Sequence, residues 1–314
     1  MIIRFTTFLF LLCFLVFNSF SQATAQKPVE QLIGELKGDD RELSDIAINE
    51  LSNQKEKSIP TLTSLATQLT ENSIVRARAV IVLGKIGDKN SVPLLIKLLK
   101  DKESYVRGTS AYSLSQIGGE QVKLALLEFL ERCLQKDYEN LPRVTEAFTQ
   151  LPDVRAFPLL IKIVKIGLKQ KSAPASRKTE KDIVRNSTLR YAVDALGQIG
   201  DSRASGLIAQ LLDSTVYYAD SYDYLYLEAI LKIKGKDAIP YLISYLEKLV
   251  EKMKGQIEQE IDVTNIGNRQ NEYNIGIYRQ TVKCLEAITG QQSIDATRED
   301  VLIFWQQYLR DSRM

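Results

Sequence analysis

The chain has 314 residues, 45% of them apolar and 25% charged, a composition typical of a folded protein with a sizeable core. Its 41 basic and 39 acidic residues nearly cancel, so the excess of positive charge expected of a nucleic-acid-binding protein is absent. The chain has no histidine, which removes the commonest general base and the commonest metal ligand. We therefore expect neither a histidine-activated nucleophile nor a zinc site.

The first 25 residues have the layout of a secretory signal peptide. Arg4 supplies a positive charge, residues 8–17 are an unbroken apolar run, and small residues end at Ala25. We predict cleavage after Ala25, which leaves residues 26–314 as the mature chain, and a periplasmic or secreted location. An uncleaved membrane anchor is the alternative, although the apolar run is shorter than the roughly 20 residues of a spanning helix. Loss of Arg4 leaves 40 basic against 39 acidic residues.

The remainder of the chain repeats two kinds of helical segment. The first kind is an apolar run with proline at its second position, as in residues 92–99 and 157–164. Proline is favoured in the first turn of a helix, where its missing N–H needs no partner. The second kind, as in residues 79–88 and 192–201, has apolar residues at steps of three and four. Glycine near its end favours a left-handed helix cap.

The spacing between the two segments is nearly constant along the chain. Five pairs of equivalent positions are ten residues apart and one pair is nine apart: Leu83 and Pro93, Leu114 and Leu124, Phe148 and Pro158, Leu196 and Gly206, Ile230 and Pro240, and Leu51 and Pro60. This pattern predicts helical hairpins that bury their apolar stripes by stacking on one another. We therefore expect an all-α fold, an α-solenoid (superhelix).

The sequence predicts seven hairpins and one capping helix. Their expected spans are 28–53, 58–87, 91–118, 120–152, 154–200, 203–235 and 237–290, followed by a helix over about 297–311. A loop is expected at residues 170–178, and residues 251–272 are expected to extend a helix and then form a loop. Cys133 and Cys284 lie several repeats apart, so we expect two buried thiols and no disulfide.

The repeated segments resemble the HEAT-like repeats of the bacterial type also found in phycobilisome lyases. That family's pattern is an aspartate, then Val-Arg, then alanines, then Leu-Gly-x-Ile-Gly-Asp. Asp101, Arg107 and Leu114 follow this order, and residues 83–88 and 196–201 match its second half. The resemblance is strongest over residues 73–119 and 186–213 and implies a helical repeat fold.

The resemblance also implies a role in binding, because such repeats are mostly protein-binding scaffolds. The chemistry of the lyase members is not a property of the repeat itself. We therefore expect an exported, non-enzymatic scaffold for a protein or peptide partner, with no cofactor and no metal. The alternative is an accessory factor or lyase-like protein that acts on a chromophore-bearing or other protein. A DNA-binding role is disfavoured by the near-neutral charge and the predicted export.

Three arginines recur at the expected start of second helices: Arg76, Arg107 and Arg190. One interpretation is a basic ladder that binds a partner. The other is structural, because in the resembling family this arginine bonds an acidic side chain of an adjoining turn. Both interpretations remain open at the level of sequence.

Residues 217–226 contain five tyrosines, a residue type enriched at protein interfaces. Tyr222, Tyr224 and Tyr226 alternate too quickly for all three to lie on one buried helix stripe, so we expect at least one to be exposed. Packing at a widened repeat junction is the alternative. The stretch from Lys169 to Arg190, which includes Lys178, carries excess positive charge that could steer an acidic partner or a membrane headgroup surface, or could simply be solvated.

Overall fold

The computed structural model describes residues 26–171, 180–212, 222–258, 265–293 and 298–312. Within these ranges the chain is helical and contains no strand. The predicted signal peptide, residues 1–25, and Lys178 lie outside the described residues. No helix of the described ranges combines the length and the apolar character that crossing a membrane requires.

The chain divides into two compact units at Ser91 and Val92. The described part of the first unit consists of two hairpins. Their helices are α1 (Val29–Lys37), α2 (Arg41–Asn53), α3 (Ile59–Thr67) and α4 (Ser73–Ile86). Helix α1 packs on α2, α3 packs on α4, and the second helices α2 and α4 pack on each other.

The described part of the second unit contains five further hairpins and a final helix. Its helices are α5 (Val92–Leu98), α6 (Ser104–Ile117), α7 (Glu120–Lys136), α8 (Leu141–Gln150), α9 (Phe157–Lys171), α10 (Glu180–Ile199), α11 (Ser205–Leu212), α12 (Asp223–Ile233), α13 (Ile239–Glu258), α14 (Asn265–Thr289) and α15 (Arg298–Asp311). The seven predicted hairpins and the final helix are therefore all found.

The helices of the second unit pack in two layers. The second helices of successive hairpins, α6, α8, α10, α12 and α14, contact one another in that order. The first helices α9, α11 and α13 do the same, and α15 packs on α13. Each hairpin also packs its own two helices together. Stacking of this kind defines an α-solenoid of HEAT-like hairpins, so the predicted fold class is confirmed.

The local sequence explains where the helices start and stop. Pro60 lies in the first turn of the first helix α3, as the repeat pattern predicted, and Pro142 lies in the first turn of the second helix α8, where the pattern predicted no proline. Gly87 and Gly200 follow α4 and α10 with φ of +74° and +73°, which is the left-handed cap expected of glycine. Lys234 occupies the same position after α12, with φ of +55°, although a lysine pays a steric cost there.

The core lies between the two layers and reaches the last helix. Trp305 of α15 is fully buried, and its ring makes edge contacts with Phe304 and Tyr308 at centroid distances of 4.9 and 5.8 Å. An end helix of this kind covers an apolar stripe that would otherwise face water, as predicted for a cap. Cys133 and Cys284 are buried and unpaired, which confirms that prediction.

Two of the predicted irregular segments differ from the structure. Helix α9 continues to Lys171 and α10 already begins at Glu180, so Gln170 and Lys171 are helical rather than part of a loop; residues 172–179 lie outside the described ranges. Residues 251–258 extend α13 as predicted, but α14 begins at Asn265, where a loop was expected. The end of α9 and the start of α14 run through polar sequence, in which apolar periodicity gives no signal.

Candidate functional site

Tyr222 and Tyr224 lie at the start of α12, in the layer of second helices. Their side chains are 38% and 45% exposed, whereas Tyr226 is fully buried. The prediction that at least one of the alternating tyrosines reaches the surface is thus confirmed. Asp223 lies between the two exposed rings and is only 2% exposed, so the start of α12 is anchored inward at one residue and presents an aromatic ring on each side of it.

Arg190 of α10 lies against two tyrosine rings. Its guanidinium carbon is 4.5 Å from the ring centroid of Tyr191 and 5.9 Å from that of Tyr222, distances typical of cation–π contacts. The buried Nε of Arg190 has no hydrogen-bond partner in the described part of the chain. Tyr191 in turn donates its hydroxyl to Glu146 of α8, with an O···O distance of 3.3 Å. These contacts connect three neighbouring second helices.

Tyr224 extends the same surface to α14. Its ring meets Tyr273 edge-on, with a centroid distance of 5.6 Å. The hydroxyl end of Tyr224 lies over Gly276 in space that a Cβ atom would occupy, so glycine is what permits the close approach. We call the set Arg190, Tyr191, Tyr222, Tyr224 and Tyr273 the tyrosine face. Its rings are held by neighbouring side chains before any partner arrives.

A buried polar pair supports the tyrosine face from below. The hydroxyl of Tyr245, on α13, donates to Oδ2 of Asp223 at 2.7 Å. Burial raises the pKa of Tyr245, and the nearby negative charge of Asp223 raises it further, so this hydroxyl keeps its proton and remains a donor. Burial also lowers the pKa of Lys252, while Asp223 opposes that change. Within the described ranges, no three carboxylates or cysteines are close enough to hold a metal ion.

The three motif arginines lie in three different environments. Arg76 is 1% exposed and donates its Nε to the carbonyl of Ala66 at 3.1 Å, so it lies inside its hairpin rather than on a binding surface. Arg107 lies near the start of α6, as predicted. Arg190 is half-buried in the middle of α10 and not at its start, because that helix begins ten residues earlier, at Glu180. Lys178 lies outside the described residues.

Arg107 makes the structural bond that the family resemblance implied. Its Nε and Nη2 donate to the two carboxylate oxygens of Asp137 at 2.7 and 2.9 Å, across 30 residues of sequence. Its Nη1 donates to the carbonyls of Asp101 and Lys102, each at 3.0 Å. Burial alone would raise the pKa of Asp137, but the hydrogen bonds from Arg107 and Asn140 outweigh it, and this pKa lies below its ordinary value.

Sequence reasoning missed two of the five residues of the tyrosine face, Tyr191 and Tyr273. Tyr191 directly follows Arg190, so its position in the motif was a usable signal. Tyr273 and Gly276 lie just after the polar stretch 251–272, and nothing local pairs them with Tyr224. The bond between Asp223 and Tyr245 depends on how two hairpins stack, which periodicity does not specify.

The comparisons with known proteins identify two parts of the chain. Residues 59–149 match the family model for HEAT repeats, and residues 188–214 match the model for the PBS lyase HEAT-like repeat. The second match includes Arg190 and Tyr191 of the tyrosine face. No curated protein matches this chain.

Solved structures that align with this chain include a complex of two lyase proteins and two engineered proteins. The complex of CpcE and CpcF of phycocyanin lyase from Nostoc sp. PCC7120 is 18% identical, with 82% of this chain and 95% of that chain covered and a TM-score of 0.36. One engineered protein is 19% identical, with 91% and 78% covered and a TM-score of 0.45. The other is 16% identical, with 85% and 99% covered and a TM-score of 0.34. Such TM-scores carry no argument about activity.

The match of residues 188–214 corrects one prediction from the sequence. We expected a non-enzymatic protein, and that expectation is contradicted, because this segment matches a repeat family named for a lyase. The recognition of the repeats is confirmed by both family models. Residues 59–149 of this chain are thus similar to HEAT repeats, and residues 188–214 are similar to the PBS lyase HEAT-like repeat.

Proposed function

We propose that this chain is a HEAT-repeat protein that binds a protein partner through the tyrosine face. The observation that carries the proposal is the pair of exposed rings, Tyr222 and Tyr224, each held by a neighbouring side chain. Tyrosine offers a large contact area with few rotatable bonds, and a ring that is already held loses little entropy on binding. Arg190 adds a cation beside the rings, and tyrosine and arginine are both enriched in binding hot spots.

The supporting layer favours a preformed site. Asp223 and Tyr245 fix the start of α12 from below, and Gly276 lets Tyr224 lie flat against α14. A site built on packed helices changes shape little on binding, so its aromatic anchors can fill matching pockets of a partner. We therefore expect most of the binding energy to come from these two tyrosines and Arg190.

The test compares two matched pairs of tyrosine substitutions. Tyr105 and Tyr138 are 49% and 55% exposed and lie outside the tyrosine face, so they serve as the control pair. A protein cross-linked in cells to the wild-type chain should be retained by the Tyr105→Ala/Tyr138→Ala variant and lost with the Tyr222→Ala/Tyr224→Ala variant.

Titration of that protein should then quantify the effect. We expect the tyrosine-face variant to bind about 30-fold or more weakly, as truncation of hot-spot residues typically does. Equal retention by both variants, or equal loss, would show that the tyrosine face is not the binding surface.

A lyase-like activity on a protein partner is the second candidate, and the match of residues 188–214 favours it. With no histidine in the chain, proton transfer would fall to groups such as Asp223, Tyr245 and Lys252. A captured partner that carries an added small molecule only in cells expressing this chain, as measured by its intact mass, would support this role. An unmodified partner in both cell types would refute it.

Export is a separate proposal, supported by the order of charge, apolar run and small residues at positions 1–25. Fractionation of cells and N-terminal sequencing test it. We expect the chain outside the cytoplasm with Gln26 as its first residue. A chain that retains Met1 in the membrane fraction would favour the anchor instead.

A further inference from the structure

The second unit has an open cleft away from the residues of the tyrosine face. Its volume is about 530 Å³, and charged side chains dominate its lining. We call it the basic cleft, and it is lined by Lys100, Arg107, Glu128, Arg132, Lys136 and Asp137. Four of these residues are basic and two are acidic, in a chain that is close to neutral as a whole. Such a local excess of one sign attracts the opposite sign.

Two neighbouring hairpins build the basic cleft. Lys100 follows α5, and Arg107 lies in the second turn of α6. Glu128, Arg132 and Lys136 are spaced four residues apart on α7 and therefore share one side of that helix. Three of the cleft's charges thus form a row along a rigid element.

One pair of charges in the basic cleft is already satisfied internally. The side chain of Asp137 is 9% exposed and accepts two hydrogen bonds from Arg107 and one from Asn140. Arg107 also donates to two backbone carbonyls. This pair stabilises the junction and has little capacity left for a ligand. The charges that remain for a ligand are those of Lys100, Lys136 and Arg132, whose Nη2 lies 4.0 Å from Asp137, against that of Glu128.

Arg132 is held in place with part of its guanidinium unused. Its guanidinium carbon lies 4.7 Å from the ring centroid of Phe129, and its Nη2 donates to the carbonyl of Leu99. Its Nε and Nη1 have no hydrogen-bond partner in the described part of the chain. A fixed guanidinium with free donors binds a carboxylate at low entropic cost.

The two lysines of the basic cleft are available to a ligand. Lys136 is exposed and makes neither a hydrogen bond nor an ion pair with any described residue. Lys100 pairs with Glu128 at 3.2 Å, but the two side chains are 66% and 71% exposed. An ion pair so open to water contributes little, so an incoming carboxylate can replace Glu128 as the partner of Lys100.

We propose that the basic cleft binds an acidic segment of a protein partner, with carboxylates that accept hydrogen bonds from Arg132 and Lys136. The excess of free positive charge complements such a segment, and the open shape of the cleft admits an extended chain. The free cations come from Lys100 after α5 and from Arg132 and Lys136 on successive turns of α7, which suits an extended segment that presents several carboxylates. The inference rests on charges separate from the tyrosine face.

The test uses a short fluorescein-labelled peptide of alternating glutamate and glycine, with a glutamine peptide as its uncharged match. Binding is followed by fluorescence anisotropy on the full chain. We expect Lys136→Glu to weaken binding of the glutamate peptide about tenfold, because it replaces an attraction with a repulsion. Lys162→Glu changes the net charge by the same amount at an exposed position of α9, outside the basic cleft, and should have little effect on binding of the glutamate peptide. Arg132→Lys keeps its charge but loses the planar fork, and it should weaken binding as well.

The Tyr222→Ala/Tyr224→Ala variant separates this inference from the proposed function, because it should bind the glutamate peptide normally. Circular dichroism melting of each variant shows whether it is folded. Equal binding of the glutamine peptide would overturn the inference, as would equal weakening by Lys136→Glu and Lys162→Glu. Displacement of the peptide by inorganic phosphate at concentrations at which free glutamate fails would also overturn it, in favour of a phosphate site.

Discussion

Replacing Arg107 with methionine tests the buried ion pair that joins α6 to the turn after α7. Methionine keeps much of the apolar length of arginine but removes its charge and all of its donors. In the native chain the side chains of Arg107 and Asp137 are 18% and 9% exposed. The Arg107→Met variant leaves the carboxylate of Asp137 buried, with Asn140 as its hydrogen-bond donor and Arg132 4.0 Å away.

The expected loss follows from that geometry. Breaking a fully buried ion pair on one side costs about 3–5 kcal/mol. Partial exposure of Arg107 and the remaining donor of Asn140 reduce this cost, so we expect a loss of about 2–3 kcal/mol in the free energy of unfolding at neutral pH. Urea unfolding followed by far-ultraviolet circular dichroism measures it.

The pH dependence of the loss is a sharper test than its size. In the native chain the folded pKa of Asp137 is depressed, so its charge stabilises the fold above the unfolded pKa of about 4, and this contribution is lost as pH falls through the folded value. In Arg107→Met the main lowering contact is gone while burial remains, which moves the folded pKa upward. The difference in the free energy of unfolding between the native chain and Arg107→Met should therefore be largest near pH 7. As the pH approaches 3, it should shrink by about 1.4 kcal/mol for each unit by which the substitution raises the folded pKa of Asp137.

Arg143→Met is the control for this experiment, because it removes an exposed pair. Arg143 is 53% exposed and pairs with Glu146 at 3.0 Å on the same helix. We expect this variant to lose less than about 1 kcal/mol. A loss in Arg107→Met that is equally small, or one that stays constant between neutral and acidic pH, would refute the assignment of Arg107 to the internal pair.

Three further outcomes follow from the same structure. Lys234→Gly should stabilise the chain by up to about 1 kcal/mol in urea unfolding, because glycine accepts the left-handed cap of α12 without a steric cost; a loss of stability would contradict this. Trp305→Ala should cost about 3–5 kcal/mol, since it empties the core under the last helix, and the sole tryptophan of the native chain should emit at short wavelength. Burial raises the pKa of both Cys133 and Cys284 to about 12, so in a Cys13→Ser background neither thiol should react with a thiol reagent near pH 8 until urea unfolds the chain; rapid labelling of the folded chain would count against this.

The repeat could be predicted from the sequence because its determinants are local. Proline at the second position of a first helix, as in Pro60, and glycine after a second helix, as in Gly87, each act within one turn of backbone. The constant spacing between such positions then defines a hairpin. The bond between Arg107 and Asp137 was implied by the family resemblance, in which this arginine bonds an acidic side chain of an adjoining turn.

The tyrosine face could be predicted only in part because its contacts are not local. The expectation that at least one of Tyr222, Tyr224 and Tyr226 is exposed followed from the geometry of a single helix. Their partners Arg190 and Tyr273 lie 32 and 49 residues away in sequence, and the length of α10 and α14 decides whether they meet. Polar sequence concealed those lengths, since apolar periodicity fades where a helix extends beyond its neighbours.

The contrast between Arg107 and Arg190 shows where this chain has room for function. Both occupy the same place in the repeat motif, but Arg107 lies near the start of a 14-residue helix and satisfies a neighbouring turn. Helix α10 has 20 residues and α14 has 25, so both exceed what one hairpin needs to cover the next. The extra turns move Arg190 away from the helix start and bring Tyr273 to Tyr224. Because Tyr273 lies in the added turns of α14, its side chain can serve a partner without weakening the stack that supports it.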